Sequence, residues 1–578
     1  MSDGLFWGLC TRMRRGMQTW AIENLDSIFA HRHPGRALIF MVRLLGPLIR
    51  QLQPNDRWSL PAFVPCWLQV LKQPTPPRSG AAKNIFIFCC YRGQFTLDLV
   101  LALLLAWRGH KVVLGYLPKL RSPIKSPLQD SSGTAAYLST TLSPIEILSS
   151  GRVRCVDLSD CIGKAPVRDK DFIEQQVHSD VVMKVRMERL DPDDEDVRTS
   201  FDFYRNVAED AQSAAWAWFE KAGNRFDLFL IANGASFEAA QFLHVAKCIG
   251  IPVTSFEKFA FAKARTITHG APFFSFDDLD VLFEEEHRIG LNQPDVRKSV
   301  CERAWQLLEQ RRTSSGSAWG WQYQKSTQSL RDVELLDRLG LERERFVLVC
   351  PNVPFDAGYG AWLTIFPSMR DWLERSIRHL LTHSDLKIVV RAHPAECRPS
   401  FDREKVSKIL ADAGIDSERV VVIPGDSDVN TYDLMPLCRF GLVFASTTGV
   451  EIAMHGKPVI AGANVYYARC GVTLPANSEA EYFQQVTRVI VGVEEDGGTS
   501  RVEQAALVYA LFHYNLQWPY PYDKPSQVVS MPLADFPKSP RIHEYVRTLD
   551  VLAMTSNEYR EALPDLVDLR MNPWSEQT

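Results

Sequence analysis

The sequence predicts an α/β fold made of two Rossmann-like halves in tandem, with a helical extension before them and a helical tail after them. Three observations predict it. Short continuous apolar runs recur along the chain, among them residues 84–90 (NIFIFCC), 226–232 (FDLFLIA) and Phe346–Cys350 (FVLVC), and runs without alternation mark strands buried on both faces of a parallel sheet. Each run leads through a short polar loop into a helical stretch, which is the grammar of βαβ units. At 578 residues the chain exceeds what one hydrophobic core can serve, so at least two domains are expected.

The elements follow in order. Residues 1–80 form a basic helical extension: the first 50 positions hold seven arginines (Arg12, Arg14, Arg15, Arg32, Arg36, Arg43, Arg50) against three acids, interleaved with Phe6, Trp7, Trp20 and Phe29. Basic residues beside an aromatic and aliphatic face suit an interfacial membrane helix; the alternative is an extension packed on the first domain with its arginines solvated. Prolines 54, 61, 65, 74, 76 and 77 then mark a boundary.

The first half spans 81–312. Strand 84–90 leads through Tyr91, Arg92 and Gly93 to a helix ending at Trp107, then to strand Lys111–Tyr116. A polar, helical middle follows, and strand 226–232 then ends in Asn233-Gly234-Ala235-Ser236. Helix Phe237–Ile249 and Gly250-Ile251-Pro252 lead into a strand that closes on Glu257. Residues 313–345 are the interdomain segment. The second half, 346–500, alternates strands (346–350, 387–391, 419–423, 440–444) with helices (368–382, 402–413, 432–437, 449–455). Residues 501–578 are a helical tail expected to pack back across the domains. Two such halves facing a central cleft describe the GT-B architecture, with ligands at the carboxyl ends of the strands.

Composition narrows the function. A net charge of −4 gives no broad basic field, which argues against nucleic acid as a partner. The twelve cysteines include no CxxC pair, so reduced thiols fit better than a disulfide framework or zinc site. The pair Asp277-Asp278 and the acidic run 193–196 read as solvated loops, so no metal is expected. No apolar run approaches the ~20 residues that span a bilayer, and 1–11 lacks the pattern of a cleavable signal. A cytoplasmic protein is expected, peripheral on the inner membrane if residues 1–50 bind it.

Two loops of the second half carry the chemistry. Arg391-Ala392-His393-Pro394-Ala395-Glu396 follows one buried strand; Ala445-Ser446-Thr447-Thr448-Gly449 follows another and opens a helix. Hydroxyls, a glycine and N–H groups at a helix start suit a phosphate, and Arg391 and His393 would add charged or polar donors. A plain helix cap is the bland reading of the second loop. Acid–base or nucleophilic chemistry at the cleft would need a carboxylate; Glu257 is the first candidate and Asp356 the second, while Asp98 reads as structural. Tyr91, Arg92, Gly93, Asn233 and Gly234 are candidates on the acceptor side.

These residues carry a resemblance. RAHP (391–394), DVNTYDLM (428–435) and STTGVEIAMHGKPVIAGANVYYARCGVT (446–473) resemble the C-terminal signature of capsule polysaccharide biosynthesis proteins, which include bacterial 3-deoxy-manno-octulosonate (Kdo) transferases. NGAS (233–236) and Glu257 are similar to a looser pattern of that family, from which Ala235 and Lys258-Phe259 depart. The resemblance implies a glycosyltransferase without cofactor or metal that moves Kdo or another acidic sugar from a CMP-linked nucleotide sugar to a glycolipid or oligosaccharide acceptor. It implies that His393 contacts the phosphate, with Pro394 in the same motif. Ser446, Thr447, Thr448 and Gly449 would bind phosphate, and Glu451 would reach the nucleoside; a glutamate complementing the helix dipole is the alternative for Glu451. Three other readings stay open: a CDP-glycerol or CDP-ribitol phosphotransferase, a nucleotide-sugar 2-epimerase, and a non-catalytic assembly protein.

Overall fold

The structure, a computed structural model, describes residues 68–78, 80–89, 95–117, 142, 145–223, 225–258, 264–272, 277–313, 332–353, 365–397, 403–493, 498–522, 533, 535–567 and 569. The chain forms two compact units. The first takes the described residues of Met1–Glu174, Asp202–Phe256 and Pro519–Ser556; the second takes those of Gln175–Phe201, Glu257–Trp518 and Asn557–Thr578. Residues 175–201 and 257–312, read from sequence as part of the first half, thus group with the second unit. The tail 501–578 is shared out between both.

The first unit is built on parallel strands β1 (Asn84–Cys89), β2 (Lys111–Tyr116), β3 (Val153–Asp157), β4 (Leu228–Ala232) and β5 (Val253–Glu257), in the spatial order β3-β2-β1-β4-β5. Ile85 lies level with Val112 on one side and with Leu228 on the other. The central strands are sealed on both faces. Helix α1 (Phe95–Trp107) is buried along almost its whole length, and Phe88 stacks on Phe242 of helix α2 (Phe237–Ile249) with ring centroids 3.8 Å apart. Gly115 has no room for a side chain, since a Cβ there would lie 2.7 Å from the Phe86 ring. The 519–556 stretch is fixed to this unit by charge: the buried Arg108, just past α1, donates from Nε and Nη2 to both carboxylate oxygens of Asp550 at 2.9 and 2.8 Å. Such a bidentate fork fixes direction as well as distance.

β3 adds a strand to the middle read as polar and helical. Its sequence VRCVD buries only Val153 fully, as an edge strand with one neighbour would.

The second unit contains β6 (Ala264–His269) and a separate parallel sheet. That sheet comprises β7 (Phe346–Cys350), β8 (Lys387–Arg391), β9 (Val420–Ile423), β10 (Phe440–Val443) and β11 (Val459–Ala461), in the order β11-β10-β7-β8-β9. Helix α3 (Pro294–Arg312) precedes it in the chain. Helices α4 (Met369–His383), α5 (Thr448–Met454) and α6 (Glu479–Val491) connect or follow its strands, and α7 (Gly498–Ala510) comes after them. One face of the core centres on Trp372, whose Nε1 donates to Tyr482 Oη at 2.8 Å, so the largest side chain there is both buried and hydrogen-bonded.

Numbered within its own unit, each set of five parallel strands runs 3-2-1-4-5. This is the doubly wound Rossmann order, in which the chain leaves the first strand in one direction, then crosses back to add strands on the other side. The reversal leaves a crevice at the carboxyl ends of strands 1 and 4, where successive loops diverge. The crevice falls between β1 and β4 in the first unit and between β7 and β10 in the second. Both α/β units expected from the apolar runs are present.

Candidate functional site

One of the loops singled out in the sequence stands at the reversal point of the second sheet, and the other leaves the next strand beyond β7. Ala445–Gly449 follows β10; 391–397 follows β8; β7 lies between these two strands, and its own loop begins at Pro351. All three leave from carboxyl ends, because every strand of this sheet is parallel.

The Ser446 loop is tied from three sides. The Ala445 N–H donates to Asn352 Oδ1 at 2.8 Å, which pins the loop after β10 to the loop after β7. Ser446 Oγ accepts from the Thr448 N–H at 3.2 Å and donates to Thr448 Oγ1 at 2.9 Å. Ser446, not the Thr447 beside it, therefore supplies the side-chain bond at the start of α5. The Tyr467 hydroxyl donates to the Ser446 carbonyl from a wholly buried ring. That ring lies directly over Gly449, leaving no space for a methyl group.

In the neighbouring loop the Ala395 N–H donates to His393 Nδ1 at 3.1 Å. An accepting Nδ1 carries no proton, so the imidazole is the tautomer with its N–H at Nε2. His393 is half-buried. The loop is backed by Gly425, where a Cβ would sit 2.6 Å from the His393 carbonyl oxygen. Pro394 opens a short 3-10 turn through Cys397. Within it the buried Glu396 accepts from the Val406 N–H at 3.2 Å, and burial pushes its carboxyl up to about 7.

Arg391 is turned inward. Its Nε donates to Thr431 Oγ1 at 3.0 Å, and its Nη1 reaches the carbonyls of Pro424 and Ile423. Only 5% of the residue is exposed. The guanidinium so placed serves the loops after β8 and β9.

Glu451, one turn into α5, is also engaged with protein. Its Oε1 accepts from Arg311 Nη1 at 2.9 Å, Tyr509 Oη at 2.9 Å and Tyr432 Oη at 3.4 Å. Burial opposes charge on Arg311, yet Tyr509, Glu451 and Tyr432 together raise its pKa above the ordinary value. Neither sequence reading of Glu451 included this pair. Nothing local announces it, because Arg311 lies 140 residues upstream. Asn352 had a weak signal, being a polar residue just past a buried strand.

Elsewhere, Asn233 and Gly234 directly follow β4 at the reversal point of the first sheet. Asn233 has φ +62°, and its Oδ1 accepts from the Ala235 N–H at 2.9 Å. Glu257 ends β5, and its Oε1 accepts from the Lys258 N–H at 2.9 Å. Tyr91, Arg92, Gly93 and Asp356, like residues 1–67, lie outside the described residues.

Of the two acidic stretches expected as solvated loops, 193–196 is largely exposed, whereas the other differs. Asp277–Glu284 is a helix, in which Asp278 accepts from Tyr559 Oη at 2.9 Å and burial pushes its carboxyl up to about 7. Asp194 and Asp196 pair with Arg403 at 2.9 and 3.4 Å. Among the described residues no cluster of His, Cys, Asp or Glu could hold a metal ion, and no helix is long and apolar enough to cross a membrane.

No family model and no curated protein sequence matches the chain. Among solved structures it is similar to two structures of Thermosulfurimonas dismutans KpsC. The β-Kdo 2,4 transferase is 16% identical over 49% of this chain and 80% of that one, with a TM-score of 0.30. The β-Kdo 2,7 transferase is 14% identical over 55% and 88%, with a TM-score of 0.29. A putative UDP-N-acetylglucosamine 2-epimerase from Listeria monocytogenes is 10% identical over 80% and 98%, with a TM-score of 0.25. Likeness at this level leaves the activity to be argued from the residues of this chain.

Proposed function

We propose that the chain is a GT-B glycosyltransferase of bacterial surface polysaccharide synthesis. In this reading it moves Kdo or another acidic sugar from a CMP donor to a glycolipid or oligosaccharide acceptor. The observation that carries the reading is that a hydroxyl-rich loop and a histidine loop leave the carboxyl ends of β10 and β8, the two strands that flank β7 in one parallel sheet. Donors placed there before the ligand arrives stabilise an anion without reorganisation at the moment of reaction.

In this reading Ser446, Thr447, Thr448 and Gly449 surround the donor phosphate, and His393 faces it with the Nε2–H. As the bond from the anomeric carbon to the phosphate oxygen breaks, charge grows on that oxygen and the histidine bond strengthens. The acceptor hydroxyl forms the new bond to carbon and gives its proton to a carboxylate, for which Glu257 is the first candidate and Asp356 the second. Pro394 fixes the turn after the histidine. Arg391 contributes by holding the loop rather than by touching phosphate. Tyr91, Arg92, Gly93, Asn233 and Gly234 are the candidates for acceptor contacts, and residues 1–50 for contact with the inner membrane.

Thermal unfolding with CMP, CDP and UDP tests the reading, because a ligand at 100 times its Kd stabilises by about 2.7 kcal/mol. A preference for CMP supports it. Preference for CDP or UDP moves the chain to the glycerol- or ribitol-phosphotransferase or the epimerase class, and absence of binding by all three removes the catalytic readings together. With a CMP-sugar donor, His393→Ala should lower turnover by about 10²–10⁴-fold at unchanged melting temperature.

A further inference from the structure

Two consecutive arginines end helix α3; one contacts the helix opened by the Ser446 loop and the other the turn that follows Asn430. Arg311 Nη1 meets Glu451 Oε1 at 2.9 Å, and Glu451 belongs to α5, the helix opened by the Ser446 loop. Arg312 serves the other side. Its carbonyl accepts from Asn430 Nδ2 at 2.9 Å, and its Nη1 lies 3.4 Å from Asp433 Oδ1. Asn430 accepts from the Tyr432 N–H at 3.1 Å and so starts the turn Thr431–Leu434. Thr431 of that turn takes the Arg391 Nε bond that holds the strand end before His393. Tyr432 closes the circuit by donating to Glu451.

The DVNTYDLM segment therefore has a physical task. It spans the distance between the His393 loop and the Ser446 loop, and α3 anchors it. We propose that Arg311 and Arg312 are positioning residues of the nucleotide site: the end of α3 sets the separation of the two phosphate loops, through Glu451 on one side and Asn430 with Asp433 on the other. This rests on the nucleotide-binding reading above. Neither arginine needs to touch the ligand. A phosphate bridging two loops requires both at fixed spacing, so a shift of about 1 Å costs binding even when every contact residue is present.

The test uses the full chain and CMP, CDP and UDP as probes, with affinity and melting temperature measured on each variant. Arg312→Gln removes the side-chain contact to Asp433, together with the exposed pair to Glu309 one turn back in α3, at a partly exposed position, so folding should survive. Arg311→Met/Glu451→Gln removes both buried charges together while leaving an amide oxygen to accept from Tyr509. The expected result is at least a tenfold rise in Kd for the nucleotide that wild type binds best, with partial recovery in Arg312→Lys. Arg375→Gln breaks an exposed ion pair with Glu479 in the same unit and should leave Kd unchanged. Variants that bind within twofold of wild type overturn the positioning role while the donor reading stands. An equal loss in Arg375→Gln also overturns it, since general destabilisation would then explain the effect. A wild-type protein that binds none of the three overturns both.

Discussion

Replacing Gly449 by alanine tests how the Ser446 loop is held. The new methyl group would fall on the Tyr467 hydroxyl oxygen, 2.8 Å from the ring carbon bearing it and 3.0 Å from Val443 Cγ2. Tyr467 is wholly buried and cannot swing to solvent, so either the ring or the start of α5 must move. Overpacking of this kind costs about 1–3 kcal/mol, and breaking the Tyr467–Ser446 bond with its partners left buried adds roughly 1–3 kcal/mol. Tyr467→Phe alone removes the bond without crowding and should cost about 1–2 kcal/mol. If the methyl strikes that oxygen, Gly449→Ala/Tyr467→Phe should be less destabilised than the sum of the single changes, by about 1–2 kcal/mol. Urea unfolding of the four proteins, followed by circular dichroism at matched m-values, closes this cycle. An additive double mutant would refute the packing argument. CMP affinity should fall about tenfold in Gly449→Ala if Ser446 moves with the ring.

Other predictions follow the same logic. Gly425→Ala places a Cβ 2.6 Å from the His393 carbonyl oxygen; nucleotide affinity should drop more than tenfold for a stability loss of about 1–3 kcal/mol, and unchanged affinity would detach His393 from the site. Glu396 titrates at about 7 in the folded protein, above its unfolded value, so the folded form holds the proton more tightly. Its contribution is complete below about pH 4.5 and is lost as pH rises through about 7. Glu396→Gln should therefore lose less urea stability than wild type between pH 5 and pH 8, and equal losses would contradict the buried carboxyl. Arg108→Leu leaves Asp550 without its partner in a largely buried setting and should cost about 3–5 kcal/mol in the first unit. CMP affinity should stay within twofold, and a parallel loss would mean that the nucleotide site depends on the first unit.

Much of this was readable in the residues because buried parallel strands write themselves as apolar runs. Lys111–Tyr116 and Phe346–Cys350 match their strands residue for residue, and Phe237–Ile249 matches its helix. The loops of interest were legible for a related reason: a strand end followed by Ser-Thr-Thr-Gly or Arg-Ala-His-Pro is a local signal. What escaped was non-local. The edge strand β3 has charged residues where one face is solvated, so its pattern resembles the helices around it. The Arg311–Glu451 pair and the Asp278–Tyr559 bond join positions far apart in sequence, and composition had suggested a solvated loop for Asp278. Arg391 was legible as a strand-end arginine, but the direction of its guanidinium depended on Thr431 and the carbonyl of Pro424.

Both units are discontinuous, and this has a consequence for biosynthesis. The first requires the described residues of Pro519–Ser556 to complete its packing, and the second draws on those of Asn557–Thr578. Neither can close while the ribosome is still within the middle of the message. At roughly 5–20 residues per second, about half a minute to two minutes pass before Pro519 is made. During that interval strands as apolar as β1, β4 and β7 are already synthesised but lack part of their cover. The nascent chain should therefore be a strong client of ribosome-associated chaperones, and truncations before residue 519 should yield insoluble protein rather than an isolated active half.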